Sequence, residues 1–141
     1  MNARTKERLE LILMFAKRIK KDLDAVSLAN FLENVEKQDA VLYRLGQIGE
    51  TATKIPDDEQ EKYPAIFWHQ MIALRHRLFH DYGEISLVKI YEITQKPIAQ
   101  LVQVLETALD CNANDTLENF QAHPRGKGRN DDWPTKHENP T

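Results

Sequence analysis

The sequence predicts an all-α protein: an antiparallel up-and-down helical bundle followed by a flexible C-terminal tail. Three observations predict it. Apolar residues recur at the i, i+3, i+4, i+7 spacing of a single helix face in four successive segments. No stretch sustains the period-two alternation of a strand, and no Asn-Gly or Asp-Gly pair offers a hairpin turn. Prolines and a glycine stand at the joins between the periodic segments, where they stop one helix and start the next.

In the first segment Leu9, Ile12, Leu13, Ala16, Ile19 and Leu23 line one face. After "DLDAVS" a short apolar piece, "LANFLENV", leads into the second long helix, with Val41, Leu42, Leu45, Ile48, Ala52 and Ile55 on its buried side. That helix should stop at Pro56, because the residue before a proline is driven out of the helical region. "PDDEQEKYP" is an acidic connection bracketed by prolines, with room for one helical turn. Pro64 suits the first turn of a third helix over 65–82, where a missing N–H costs nothing, and Gly83 is placed to end it. Ser86 can cap a fourth helix over 87–110, whose apolar face is Leu87, Ile90, Tyr91, Ile98, Leu101, Val102, Leu105 and Leu109. Pro97 inside that pattern should kink it. Beyond Cys111 the composition turns to Asn, Asp, Gly and Pro, so residues 1–111 read as one helical domain and 112–141 as a tail.

With 141 residues the chain can build a single core. Apolar runs such as "LILMF" are far short of the ~20 residues of a membrane span. The opening "MNARTKERLE" lacks the apolar centre of a signal peptide, which predicts a cytoplasmic protein with no membrane partner. The lone Cys111 has no internal disulfide partner and no evident activating base, and reads as an incidental thiol. A net charge of −3 argues for no particular partner, but its distribution is uneven. Seven bases stand against two acids over residues 4–21, whereas ten acids stand against four bases over 22–62. A basic surface could face nucleic acid, or be merely a solvated helix face. The tail bases Arg125, Lys127 and Arg129 either touch RNA or, in the preferred reading, keep the tail soluble.

The chemistry concentrates in "WHQMIALRHRLFHDYGE", residues 68–84. Advancing ~100° per residue from Phe67 at zero, Trp68, Met71, Ile72, Leu74, Leu78, Phe79 and Tyr82 fall in an apolar arc. Arg75 falls near ~80°, in the middle of that arc, while His69, His76 and His80 form a polar stripe near ~200°. An arginine among apolar side chains is costly unless paired, since its five donors cannot be neutralised by deprotonation. It is either tied internally to a carboxylate such as Glu50 or Asp39, or it lines a cleft and clamps a phosphate; the two can coexist. The histidine stripe invites a metal site, but His69 and His76 are two turns apart, ~10 Å along the axis, and no further ligand completes a tetrahedron. We expect no metal and no cofactor.

"RHRLFHDY" carries Arg75, His76, His80 and Tyr82 in an Arg-polar-X3-His-X-Tyr pattern. It resembles the signature of the HEPN ribonucleases, specifically the HepT-like toxins of prokaryotic toxin–antitoxin pairs. "QDAVLYRLGQIGETATKIP", "YPAIFWHQMIALRHRLFHDYG" and the terminal helix with its mid-helix proline extend the resemblance over roughly residues 5–110. His76 stands where the family usually carries asparagine or aspartate, and Gly83 where relatives often carry an aromatic.

The resemblance implies a metal-independent endoribonuclease, acting on tRNA or mRNA, that is the toxin of a type VII-like pair. Arg75 and His80 are then the catalytic residues and His76 a candidate support. Histidine suits proton transfer near neutrality and arginine suits the phosphate charge. On a regular helix Arg75 and His80 are about 140° apart. Either the helix unwinds near Asp81-Tyr82-Gly83, or two copies face each other, and the homodimers of the family agree with the second. The family also implies a minimal nucleotidyltransferase antitoxin that attaches adenylate to Tyr82, the alternative being that Tyr82 only staples the helix end. Two other function classes compete. One is a non-catalytic HEPN-type module that binds RNA or scaffolds a nucleotidyltransferase. The other is a metal-dependent helical enzyme using His69, His76 and His80.

Overall fold

The computed structural model describes residues 2–110, with the backbone alone at Tyr82. The tail at 112–141 and Cys111 lie outside the described residues. The described chain is all-α: α1 is Ala3–Asp22, α2 Leu28–Leu32, α3 Val35–Thr53, α4 Asp57–Gln60, α5 Trp68–His80, α6 Leu87–Thr94 and α7 Lys96–Asp110. A single 3-10 turn, Tyr82–Glu84, separates α5 from α6. Among the described residues no helix is long and apolar enough to cross a membrane.

Local chemistry sets the helix starts. Asn2 accepts hydrogen bonds from the amides of Arg4 and Thr5, Ser27 from Asn30, Asn34 from Lys37 and Ser86 from Lys89, so four helices open on a side-chain cap. Leu9, Ile12, Ala16 and Ile19 of α1 are buried as the periodicity predicts, and Leu13 is half-buried. They meet Val41, Leu42, Leu45, Ile48 and Ala52 of α3 and Ile98, Leu101, Val102 and Leu105 of α7 in one core. Cross-links set the direction of α3 against α1. Arg8 near the start of α1 donates to the Lys54 carbonyl at the end of α3 (2.5 Å), and Arg44, midway along α3, pairs with Asp22 at the end of α1. The two helices are therefore antiparallel.

Three boundaries differ from expectation. The third helix starts at Trp68, not 65, so Pro64 precedes it in a turn. Tyr63, Ile66 and Phe67 are buried there, and the Trp68 indole N–H donates to the Tyr63 carbonyl (3.1 Å), so burial holds the segment in turns. That helix ends at His80 with Asp81 as its C-cap at φ −128°. Gly83 does not adopt the left-handed conformation of a capping glycine and falls within the 3-10 turn. The fourth helix is not kinked but split, between α6 and α7, at Gln95 (φ −89°, ψ −106°). Pro97 lacks an N–H and its ring would clash with the Ile93 carbonyl, which a continuous helix could not tolerate.

Glu59 of α4 is nearly buried, with Lys62 Nζ 2.8 Å from its carboxylate. That hydrogen bond holds the carboxyl below its usual range despite the opposing effect of burial.

Candidate functional site

The site grows from the contact between α3 and α5. Gly46 and Gly49 lie one turn apart on α3, and the missing side chain of Gly49 lets α5 come close. A Cβ on Gly49 would sit 2.4 Å from Arg75 Cβ and 2.6 Å from the Met71 carbonyl. At Gly46 the nearest atom would be Phe79 Cζ, 3.7 Å away. Position 46 thus lies against 79 and position 49 against 71 and 75, so α5 runs antiparallel to α3.

This approach decides what the arc of α5 buries. Met71, Leu74 and Leu78 enter the core, as does Trp68, while Ile72 is half-buried. Phe79, expected in the core, is 53% exposed, and Arg75 is at the edge of the buried face instead of its middle. The physical reason is that the core covers the side of α5 that carries Trp68, Met71, Leu74 and Leu78, which leaves positions 75 and 79 at the rim beside Gly49 and Gly46.

At that rim three neighbours hold Arg75. Its Nε donates to Glu50 Oε1 at 2.5 Å, its Cζ lies 4.9 Å from the centre of the Phe79 ring, and its Cβ rests against Gly49. The side chains of Arg75 and Glu50 are 29% and 33% exposed, so the pair meets solvent along one edge. The internal tie foreseen for Arg75 is therefore to Glu50, not Asp39. Lys54 Nζ stands 3.9 Å from the other Glu50 oxygen, Oε2.

The histidines lie on the far side of α5. His69, His76 and His80 are all exposed, and the rings of His76 and His80 meet at 4.3 Å between centroids, tilted by 41°. Helix α5 stays regular through His80, so the chain does not unwind between Arg75 and His80. Five residues of helix separate them by ~7.5 Å along the axis and ~140° around it. The structure thus brings His76 to His80 and Arg75 to Glu50, but not Arg75 to His80. Tyr82 follows in the 3-10 turn, two residues beyond the end of α5. Among the described residues no group of three or more His, Cys, Asp or Glu side chains is placed to hold a metal ion.

Sequence reasoning missed Gly49 and the ring of Phe79. The Gly46-X-X-Gly49 spacing was the available signal, since two glycines one turn apart on an otherwise apolar helix face mark a close backbone approach.

A model of the ribonuclease HepT-like family matches residues 12–108. The chain belongs to the HepT-like ribonuclease family. In this HepT-like chain the match runs from α1 into α7 and so contains the whole α3–α5 seam. Three proteins of Methanocaldococcus jannaschii are similar to it. "Putative RNase MJ0127" is 33% identical over 76 residues, 54% of this chain and 63% of that protein. "Putative RNase MJ1380" is 30% identical over 76 residues, 54% of this chain and 70% of the relative. "Putative RNase MJ0125" is 31% identical over 86 residues, 61% of this chain and 72% of the relative. The chain thus spans less than two thirds of the first of these. No solved structure matches it.

Proposed function

We propose that this HepT-like protein is a metal-independent endoribonuclease, the toxin of a toxin–antitoxin pair. The observation that carries the reading is Arg75, held at a solvent-facing rim by its Nε, with no hydrogen bond from its other N–H groups among the described residues, five residues before an exposed His80. RNA brings its own nucleophile. A base takes the proton of a 2′-OH, the oxygen attacks the adjacent phosphorus, and the 5′-oxygen leaves with a proton from an acid. The products are a 2′,3′-cyclic phosphate and a 5′-hydroxyl. Histidine serves as base and acid, and the Arg75 guanidinium stabilises charge on the phosphorane-like transition state.

The divergence of Arg75 and His80 along an intact helix supports a site made by two copies, each giving its arginine to one cleft and its histidine to the other. Each cleft then holds one His80 ring with His76 of the same chain 4.3 Å from it, a pair that can serve both proton transfers. Silencing by a minimal nucleotidyltransferase partner fits the position of Tyr82. An adenylate attached there adds an anion near the end of the motif helix, where it would compete with substrate phosphate and repel RNA.

The test is cleavage of total tRNA and of a synthetic single-stranded RNA, with excess EDTA present, by wild type, Arg75→Ala and His80→Ala. Wild type should cut and leave cyclic phosphate ends, and both variants should lose activity by at least about 10²-fold. Equal cleavage by all three would refute the assignment. RNA that is bound but never cut would favour a non-catalytic module.

A further inference from the structure

Every donor that Arg75 offers a phosphate depends on where its guanidinium plane points, and a free arginine side chain samples many rotamers. Glu50 removes that freedom. Its Oε1 takes the Nε–H of Arg75 at 2.5 Å, the guanidinium donor that projects sideways next to the aliphatic stem. With Nε engaged, the donors left are those on Nη1 and Nη2, the end-on pair that matches two oxygens of a phosphodiester. The Phe79 ring, 4.9 Å from Cζ, limits the guanidinium on one face, and the Gly49 backbone fixes the stem at Cβ.

Glu50 also belongs to the opposite helix. It follows Gly49 directly on α3, so the residue that lets α5 approach and the carboxylate that orients Arg75 are adjacent in sequence. Lys54, one turn further along α3, lies 3.9 Å from Oε2 and offsets the negative charge that would otherwise repel RNA.

We propose that Glu50 is a positioning residue that presents Arg75 end-on to the scissile phosphate, an inference that rests on the ribonuclease reading above. It acts through Arg75 and touches no substrate. Removing it leaves the Arg75 charge in place but frees its direction.

The test uses the full-length protein, synthetic single-stranded RNA and the variants Glu50→Ala, Glu50→Gln and Glu50→Asp, alone and combined with Arg75→Ala. Glu50→Ala should lower kcat/KM by about 10²-fold, the loss typical of misplacing a catalytic group by ~1 Å. Glu50→Gln, whose amide oxygen can still accept from Nε, should recover most of the activity. Glu50→Asp keeps the charge but retracts it by one methylene, and should lie between the two. Because Glu50 works only through Arg75, Glu50→Ala should change nothing further in the Arg75→Ala background. A merely structural role would lower activity by the same factor in both backgrounds, and that result would overturn the proposal.

A second readout does not depend on cleavage. The Nε–H proton of Arg75, assigned by its loss in Arg75→Lys, should exchange slowly with water in wild type and Glu50→Gln, and rapidly in Glu50→Ala. Rapid exchange in wild type would sink the positioning role. If Arg75→Ala and His80→Ala are inactive while Glu50→Ala matches wild type, the Glu50 proposal alone fails. If all variants cleave alike, the ribonuclease reading fails, and the exchange measurement still decides whether Glu50 orients Arg75.

Discussion

Replacing Gly49 with alanine should be destabilising and should also cost activity, although alanine is the better helix former. An added Cβ would stand 2.4 Å from Arg75 Cβ and 2.6 Å from the Met71 carbonyl oxygen. Carbon atoms rest ~3.5–4.0 Å apart, so α3 and α5 must separate by about 1 Å. Neither obstacle is the end of a flexible side chain, so neither can swing aside. Overpacking of this kind costs about 1–3 kcal/mol, and the helix propensity of alanine returns about 1 kcal/mol. The net loss is about 1 kcal/mol, or a fall in Tm of about 4 °C for a domain of this size. Gly46→Ala is the matched control, since its Cβ would meet Phe79 Cζ at an ordinary 3.7 Å. With no clash to offset the propensity gain, it should raise Tm by about 4 °C. Moving Arg75 by about 1 Å should also cost Gly49→Ala about 10²-fold in RNA cleavage. Thermal melts by circular dichroism and initial cleavage rates measure both. If Gly49→Ala is stabilised like Gly46→Ala and cleaves at the wild-type rate, the seam does not position the arginine.

Three further outcomes are expected. Glu59 has a depressed carboxyl pKa, chiefly from the Lys62 hydrogen bond, so its contribution to stability is complete above the unfolded value of ~4.3 and is lost as pH falls through the lower folded value. Glu59→Gln should therefore flatten the decline of Tm on acidification, and an unchanged slope would contradict this. If the proposed composite site is right, mixing Arg75→Ala with His80→Ala chains should restore cleavage, because each heterodimer would regain one intact site. With random pairing the recovery approaches about a quarter of wild type, whereas no recovery would mean that each site draws both residues from one chain. Under the proposed silencing of Tyr82, coexpression with a minimal nucleotidyltransferase should add adenylate mass to the wild type but not to Tyr82→Phe, as intact-mass analysis reads directly.

Most of the helical layout was legible because periodicity and capping act within a few residues. Ser86 caps α6, Pro56 stands just past α3, and "PDDEQEKYP" contains the single turn α4. The errors fell where distant contacts outweighed local preference. Pro64 looked like a helix start, yet burial of Tyr63, Ile66 and Phe67 against the core holds that stretch in turns until Trp68. Phe79 looked like core because hydrophobicity says nothing about which part of a wide apolar arc the neighbouring helix covers.

The sequence by itself determined the all-α class, the helix faces and the motif that places this chain among the HepT-like ribonucleases. These follow from short-range periodicity and from residue chemistry, which need no knowledge of neighbours. Only the tertiary structure decided that Arg75 is bound to Glu50 and not Asp39, that His76 touches His80, and that Arg75 and His80 diverge along an unbroken helix. The first of these depends on how closely α3 and α5 approach. That distance is set by the absence of a side chain at Gly49, and acquires meaning only when the partner helix is in place.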